Sequence, residues 1–196
     1  MRTETRTYTL SRITELSEKA KEKAYNQWLC NGYFYGWTHE NRQTLDAFCE
    51  RFGIVCRNWR YDACNYSYDY RSRQEDCIDS LSGWRLAIYL MNNHWNDLYT
   101  QKYFWHGMKG RKSKIFVDTC CPLTGYYIDD CILDSIYKFL KSPTENVTFD
   151  DLMNDCLDSF FRACRDDMES TQTLEYFTEE SNANGWEYLS DGKLFN

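Results

Sequence analysis

The side chains with the most chemistry to offer are three histidines, ten cysteines and thirty carboxylates. The histidines stand at positions 39, 94 and 106, and none falls in a His-Glu-x-x-His or other metal-ligand spacing. His94, beside Trp95, and His106, beside Trp105, carry imidazoles that titrate near neutrality and offer a general base. No serine or cysteine stands in a nucleophile elbow next to either, so a hydrolase would have to bring a Cys-His pair together from distant positions. His39 precedes Glu40 at a helix start, where capping or solvent exposure suits it. Asp118, Asp129, Asp130 and Asp134 are near enough in sequence to gather two Mg²⁺ ions, as nucleases do. The accompanying Asp-x-Lys signature reduces to Asp191-Gly192-Lys193, which a β-turn explains. Asp129 and Asp130 fall in a first helical turn, where carboxylates oppose the helix dipole. With no glycine-rich phosphate loop either, the sequence supports no catalytic residue, no metal and no cofactor.

Ten cysteines would staple a small secreted domain, but this chain has 196 residues and begins Met-Arg-Thr-Glu-Thr-Arg with no apolar signal segment. The expectation is a cytoplasmic protein of a bacterial host with reduced thiols. Zinc sites commonly pair cysteines two to four residues apart. The adjacent Cys120-Cys121 is the one close pair, and neighbouring cysteines rarely chelate one tetrahedral ion. Cys49, Cys131, Cys156 and Cys164 fall on apolar helical stripes and read as small hydrophobes.

The net charge of −7 is unevenly distributed: residues 1–100 sum to 0, residues 101–117 to +5 and residues 118–196 to −12. Direct attachment to nucleic acid or to an anionic membrane is not expected of such a chain, and no apolar run approaches the roughly 20 residues of a membrane span. The acidic third is rich in Phe, Tyr, Leu and Ile, so its acids are displayed on folded elements. On a helix starting at Phe149, at about 100° per residue, the apolar side centres near Met153, Phe160 and Cys164. The opposite side presents Asp151, Asp155, Asp158, Arg162, Asp166 and Glu169. Successive i, i+4 members of that row lie about 6 Å apart along the axis, comparable with phosphates along a nucleic-acid strand. Asp151, Asp155, Asp158, Asp166 and Glu169 are therefore the candidate partner-binding residues. An ordinary solvated helix face would look the same, and Asp158, Arg162 and Asp166 can neutralise one another. The basic segment offers a secondary candidate surface in Lys102, Trp105, Lys109, Arg111 and Lys112, suited to stacking and charge.

The elements that would position these residues follow from periodicity. Residues 6–10 read as a short strand, and Thr14 to Leu29 as a helix with Leu16, Ala20, Ala24 and Trp28 on one side and Ser17 as a cap. A second helix, Thr38 to Phe52, ends at Gly53. Residues 54–61 and 65–70 alternate as a hairpin. Leu81, Trp84, Ile88, Met91, Trp95 and Leu98 mark a helical stripe, 115–117 a short strand, and a helix beginning at Asp129 ends before Pro143. Thr148 and Asp151 make a capping-box pattern for the acidic helix, which breaks near Ser170 and resumes toward Gly185. Trp186 to Phe195 closes as a hairpin around Ser-Asp-Gly. Without βαβ alternation the class is α+β: a mostly antiparallel sheet of short strands with about five helices packed on one face. A single domain, 1–196, is expected, with a subdivision near 117 into a neutral-to-basic half, 1–117, and an acidic helical half, 118–196.

Two stretches carry a family resemblance. Tyr8-Thr9-Leu10 with Glu15-Leu16-Ser17-Glu18-Lys19-Ala20-Lys21-Glu22-Lys23-Ala24 is similar to the N-terminus of small proteins encoded in phages and mobile elements of Firmicutes, some labelled antitoxin-like. Cys121-Pro122-Leu123-Thr124-Gly125, Ile132-Leu133-Asp134, Val147 to Leu152, Asn154 to Asp158 and Asp191 to Phe195 resemble the C-terminal half of the same group. That resemblance implies anti-defence activity, including anti-CRISPR inhibition, and supplies no catalytic residues. The expected function is a non-enzymatic inhibitor whose acidic surface blocks the nucleic-acid channel of a host effector such as a CRISPR nuclease. The alternatives are an antitoxin-like partner of a cognate toxin and, further off, a metal-dependent nuclease or Cys-His hydrolase.

Overall fold

The computed structural model describes residues 7–32, 34, 36–101, 117–118 and 120–195. Their elements run β1 (Leu10–Ser11), a 3-10 turn (Ile13–Glu15), α1 (Glu18–Asn31), α2 (Thr38–Phe52), β2 (Ile54–Tyr61), β3 (Tyr66–Ser72) and α3 (Asp76–Asp79). The chain continues through α4 (Gly83–Asn93), α5 (Trp95–Leu98), β4 (Thr100–Gln101), β5 (Val117–Asp118), α6 (Ile128–Lys141), α7 (Phe149–Ser170), α8 (Leu174–Ala183) and β6 (Tyr188–Leu189). The class is α+β, with more helices than the periodicity predicts. The expected single sheet is absent among the described residues. Strands pair instead as three separate antiparallel ladders of two, β1 with β6, β2 with β3 and β4 with β5. Four of the six strands are two residues long and offer too few backbone groups to recruit a further neighbour. No helix among the described residues is long and apolar enough to cross a membrane.

The chain forms two compact units, Gly36–Asp166 and a smaller one combining Met1–Tyr35 with Asp167–Asn196, so the division does not fall near 117. Charge changes sign there; packing does not. In the smaller unit Ser17 caps α1 by accepting from the Ala20 amide, and Thr173 caps α8 in the same way through Tyr176. Ile13, Leu16, Ala20, Ala24, Phe177 and Tyr188 form its buried core, flanked by Tyr25, Trp28 and Trp186. The closing turn lies so near α1 that a Cβ on Gly192 would stand 2.1 Å from the Ala20 carbonyl oxygen, which excludes any larger residue.

The larger unit buries one face each of α2, α4, α6 and α7 in a common core that includes Leu45, Phe48, Phe52, Leu86, Leu90, Ile132, Ile136, Phe149, Phe160 and Phe161. Gly53 ends α2 in the left-handed conformation, as its position predicts. Helix α4 departs from the expected stripe: Trp84 and Ile88 are 67% and 58% exposed, and Leu86, Ala87 and Leu90 go inward. The helix is apolar on both sides, and period alone does not choose between them.

The β2–β3 hairpin lies against α7 through three tyrosines. Tyr66 donates to Asp158 Oδ1 at 2.6 Å, Tyr68 to Asn154 Oδ1 at 3.1 Å and Tyr70 to Asp150 Oδ1 at 2.7 Å. Two residues of strand advance about 6.7 Å and four residues of helix about 6 Å, so an every-second tyrosine meets an every-fourth acceptor. The rings of Tyr66 and Tyr68 stack on Phe161.

Candidate interaction surfaces

Helix α7 begins with a complete capping box. The Asp151 amide donates to Thr148 Oγ1 at 3.1 Å, while the Thr148 hydroxyl and amide donate to Asp151 Oδ2 at 2.6 and 3.1 Å. Those bonds, the hydroxyl's first, hold the Asp151 carboxyl below its ordinary pKa. Asp158 accepts from Tyr66 and pairs with Arg162 at 2.5 Å. Asp166 pairs with Arg165 at 2.5 Å. Glu169, exposed, belongs to the smaller unit. Asp155 is exposed and its carboxylate takes no hydrogen bond or ion pair among the described residues. Partial burial and then the charges of Asp151 and Asp158 push its pKa up. Of the five candidates, then, three are also used by the fold, and Asp155 bears the repulsion of its neighbours. Lys102, Trp105, Lys109, Arg111 and Lys112 lie outside the described residues, as does His106.

A second charged surface escaped the sequence reading. On the side of the hairpin opposite the tyrosines, Arg57 stands across from Asp69, Arg60 across from Ser67 and Arg71 across from Val55, with exposed Arg73 just beyond β3. Arg60 Nε donates to Ser67. Among the described residues no carboxylate lies within ion-pair distance of Arg57, Arg71 or Arg73. Strict alternation would put positions 57 and 60 on opposite faces. The bulge between them, at Asn58 with φ of 50°, shifts the register and brings both outward. Asn58 donates to Asp69 Oδ2 at 2.6 Å, so the one acid on this face is already engaged.

The third cluster is a corner before α6. Asp129 is wholly buried and accepts five bonds: from the hydroxyls of Thr44 and Thr124, both at 2.7 Å, and from the amides of Leu123, Thr124 and Gly125 at 3.0, 2.6 and 3.0 Å. The Cys-Pro-Leu-Thr-Gly stretch is thus the donor nest of a structural carboxylate. Asp130 accepts from the Cys121 amide at 2.9 Å, and Asp134 pairs with Lys138 at 2.6 Å. These acids therefore do not form the two-metal carboxylate set weighed for a nuclease; the side chain of Asp118 lies outside the description. Cys120 and Cys121 bring their sulfurs to 3.7 Å. Burial, then Cys120 and Asp130, push the Cys121 thiol up to about 12, which makes it a poor nucleophile at neutral pH.

All ten cysteines are thiols. Burial raises Cys49 to about 11 and Cys56 to about 12, in keeping with a packing role. His39 is exposed beside Gln43 at 3.3 Å. His94 is buried on the face of Phe52, ring centroids 4.6 Å apart, with Nδ1 3.4 Å from Asp97 Oδ2. Burial lowers its pKa, against the opposing pull of Asp97, so the neutral ring serves as core. No family model, curated protein or solved structure matches the chain.

Proposed function

We propose that the protein is a non-enzymatic binding protein that places the carboxylate row of α7 into a basic, nucleic-acid-binding groove of a protein effector. The observation that carries this reading is Asp155. Its exposed carboxylate takes no hydrogen bond or ion pair among the described residues, and its pKa is raised by partial burial and then by the flanking charges of Asp151 and Asp158, a repulsion that a cationic partner would offset. Complementary charge would speed the encounter and make it salt-sensitive. The resemblance to phage and mobile-element proteins makes a host defence nuclease the natural candidate for that effector.

The experiment is capture of host proteins by the full chain and by an Asp155→Lys variant, which disturbs no hydrogen bond of the fold. The reading expects a protein retained by the wild-type chain, displaced by added oligonucleotide or salt, and absent from the variant. Retention of the same protein by both chains, indifferent to oligonucleotide, would overturn it.

A second reading rests on a different observation, the exposed arginines of the hairpin that have no carboxylate partner among the described residues. A two-stranded ribbon presenting guanidinium groups is suited to phosphate, and it would let the chain touch nucleic acid directly. Binding of a labelled oligonucleotide that disappears in Arg57→Gln/Arg71→Gln/Arg73→Gln, with Asp155→Lys unaffected, would favour this reading over the first.

A further inference from the structure

We infer that Cys120, Cys121 and Asp130 form a three-ligand site for a thiophilic divalent cation of the zinc and cadmium type, its fourth position open to water. In extended backbone successive side chains point to opposite faces, which is why adjacent cysteines seldom share an ion. Here Cys121 is left-handed, with φ of 46°, and the two sulfurs converge to 3.7 Å. A tetrahedral ion with metal–sulfur bonds of about 2.3 Å and metal–oxygen bonds of about 2.0 Å requires a sulfur–sulfur edge of about 3.8 Å and a sulfur–oxygen edge of about 3.5 Å. Cys121 Sγ stands 3.9 Å from Asp130 Oδ2, and all three ligand atoms lie within 4.8 Å of one another. The two sulfurs, and Cys121 with Asp130, are therefore spaced close to the edges of a coordination shell, and Cys120 and Asp130 stand within 4.8 Å of each other.

The surroundings hold it in place. Asp130 Oδ1 is occupied by the Cys121 amide, which leaves Oδ2 toward the Cys121 sulfur and supplies the kind of outer hydrogen bond that orients metal-binding carboxylates. The adjoining turn is fixed by the five bonds to Asp129. Two sulfur donors select against Mg²⁺ and Ca²⁺, which prefer oxygen. Binding replaces two S–H bonds with two metal–sulfur bonds and releases two protons to solvent, so no oxidant or reductant is needed. This site is independent of the α7 surface.

The test uses the full chain, reduced with a non-thiol reductant and stripped with chelator. It is titrated with Cd²⁺, followed by thiolate-to-cadmium charge-transfer absorption, and with Zn²⁺ in competition with a chromophoric chelator. One equivalent is expected, together with a Zn²⁺-dependent rise in melting temperature. Affinity should fall by at least about 100-fold in Cys120→Ser and Cys121→Ser and by about 10-fold in Asp130→Asn. Cys30→Ser/Cys77→Ser, which removes two exposed thiols elsewhere, should bind as wild type does. Cys120 is exposed, so Cys120→Ser is expected to fold, and far-ultraviolet circular dichroism checks that it does. Equal stoichiometry and affinity in the wild type and Cys120→Ser, or no binding to the folded wild type, would overturn the site.

Discussion

The acidic row of α7 from Asp151 to Asp166 and the arginine face of the β2–β3 hairpin belong to one unit, in which the hairpin tyrosines bond to α7, yet they hold their charge differently. On α7, Asp151, Asp158 and Asp166 are each engaged with a donor or a cation of the same unit. On this face of the hairpin the single acid, Asp69, is bonded to Asn58, and exposed Arg57, Arg71 and Arg73 have no carboxylate within ion-pair distance among the described residues. The formal number of charges on a surface is thus a poor guide to how many remain available to a partner. Among the described residues, Asp155 and, in the smaller unit, Glu169 are the members of the row whose carboxylates take no partner, and Asp155 is the one held above its ordinary pKa.

The predictions that break or sharpen this contrast run from large to small. Asp129 is the limiting case of a carboxylate consumed by the fold. Asp129→Ala strands the buried Thr44 hydroxyl and the half-buried donors of Leu123 and Thr124 and should destabilise the chain by about 3 kcal/mol, read by urea denaturation. A loss under about 1 kcal/mol would mean that the nest closes without its carboxylate. The tyrosine ladder comes next. Tyr66→Phe, Tyr68→Phe and Tyr70→Phe should each cost about 1 kcal/mol. Tyr66→Phe should in addition raise the affinity of any partner bound by the row, since it frees Asp158 Oδ1 while Oδ2 stays with Arg162.

His94 supplies a pH test of the core around Phe52 and Tyr89. Its folded pKa lies below the ordinary histidine value of about 6.5 because burial disfavours the charged ring. The unfolded chain therefore binds the proton more readily, and stability should decline as pH falls below that value. His94→Phe should flatten the decline in thermal melts between pH 7 and 5; an unchanged slope would place its origin in other groups.

The smallest expected effect bears most on the proposed function. Asp155 has a folded pKa above its ordinary value, so its charged form weakens the fold at neutral pH. Asp155→Asn should stabilise by about 0.3 kcal/mol, and the gain should vanish as pH falls below about 4, where both chains are neutral at this position. A variant that is more stable and binds more weakly is the signature expected of a surface residue kept for a partner.

What could be read from the sequence was local. Gly53 ending α2, the Thr148–Asp151 box and the break after Ser170 are set by residues within a turn of the feature they predict. The buried side of α4 was not legible, because Trp84, Ile88 and Met91 have the same period as Leu86 and Leu90. The arginine face was hidden by the Asn58 bulge, which overrides alternation between residues 57 and 60. The Cys120-Cys121 corner was hidden because its third member is nine residues on and is reached through a left-handed cysteine. The acidic row was legible as a pattern, but the tyrosine that engages Asp158 comes from a strand 92 residues earlier.

The most direct measurement sets the two faces against each other in one assay. The wild-type chain, Asp155→Lys and Arg57→Gln/Arg71→Gln/Arg73→Gln are immobilised side by side, exposed to the same host proteins and eluted with oligonucleotide. The account predicts that the arginine variant keeps the oligonucleotide-displaced partner and that Asp155→Lys loses it. A partner lost from the arginine variant and kept by Asp155→Lys would contradict it.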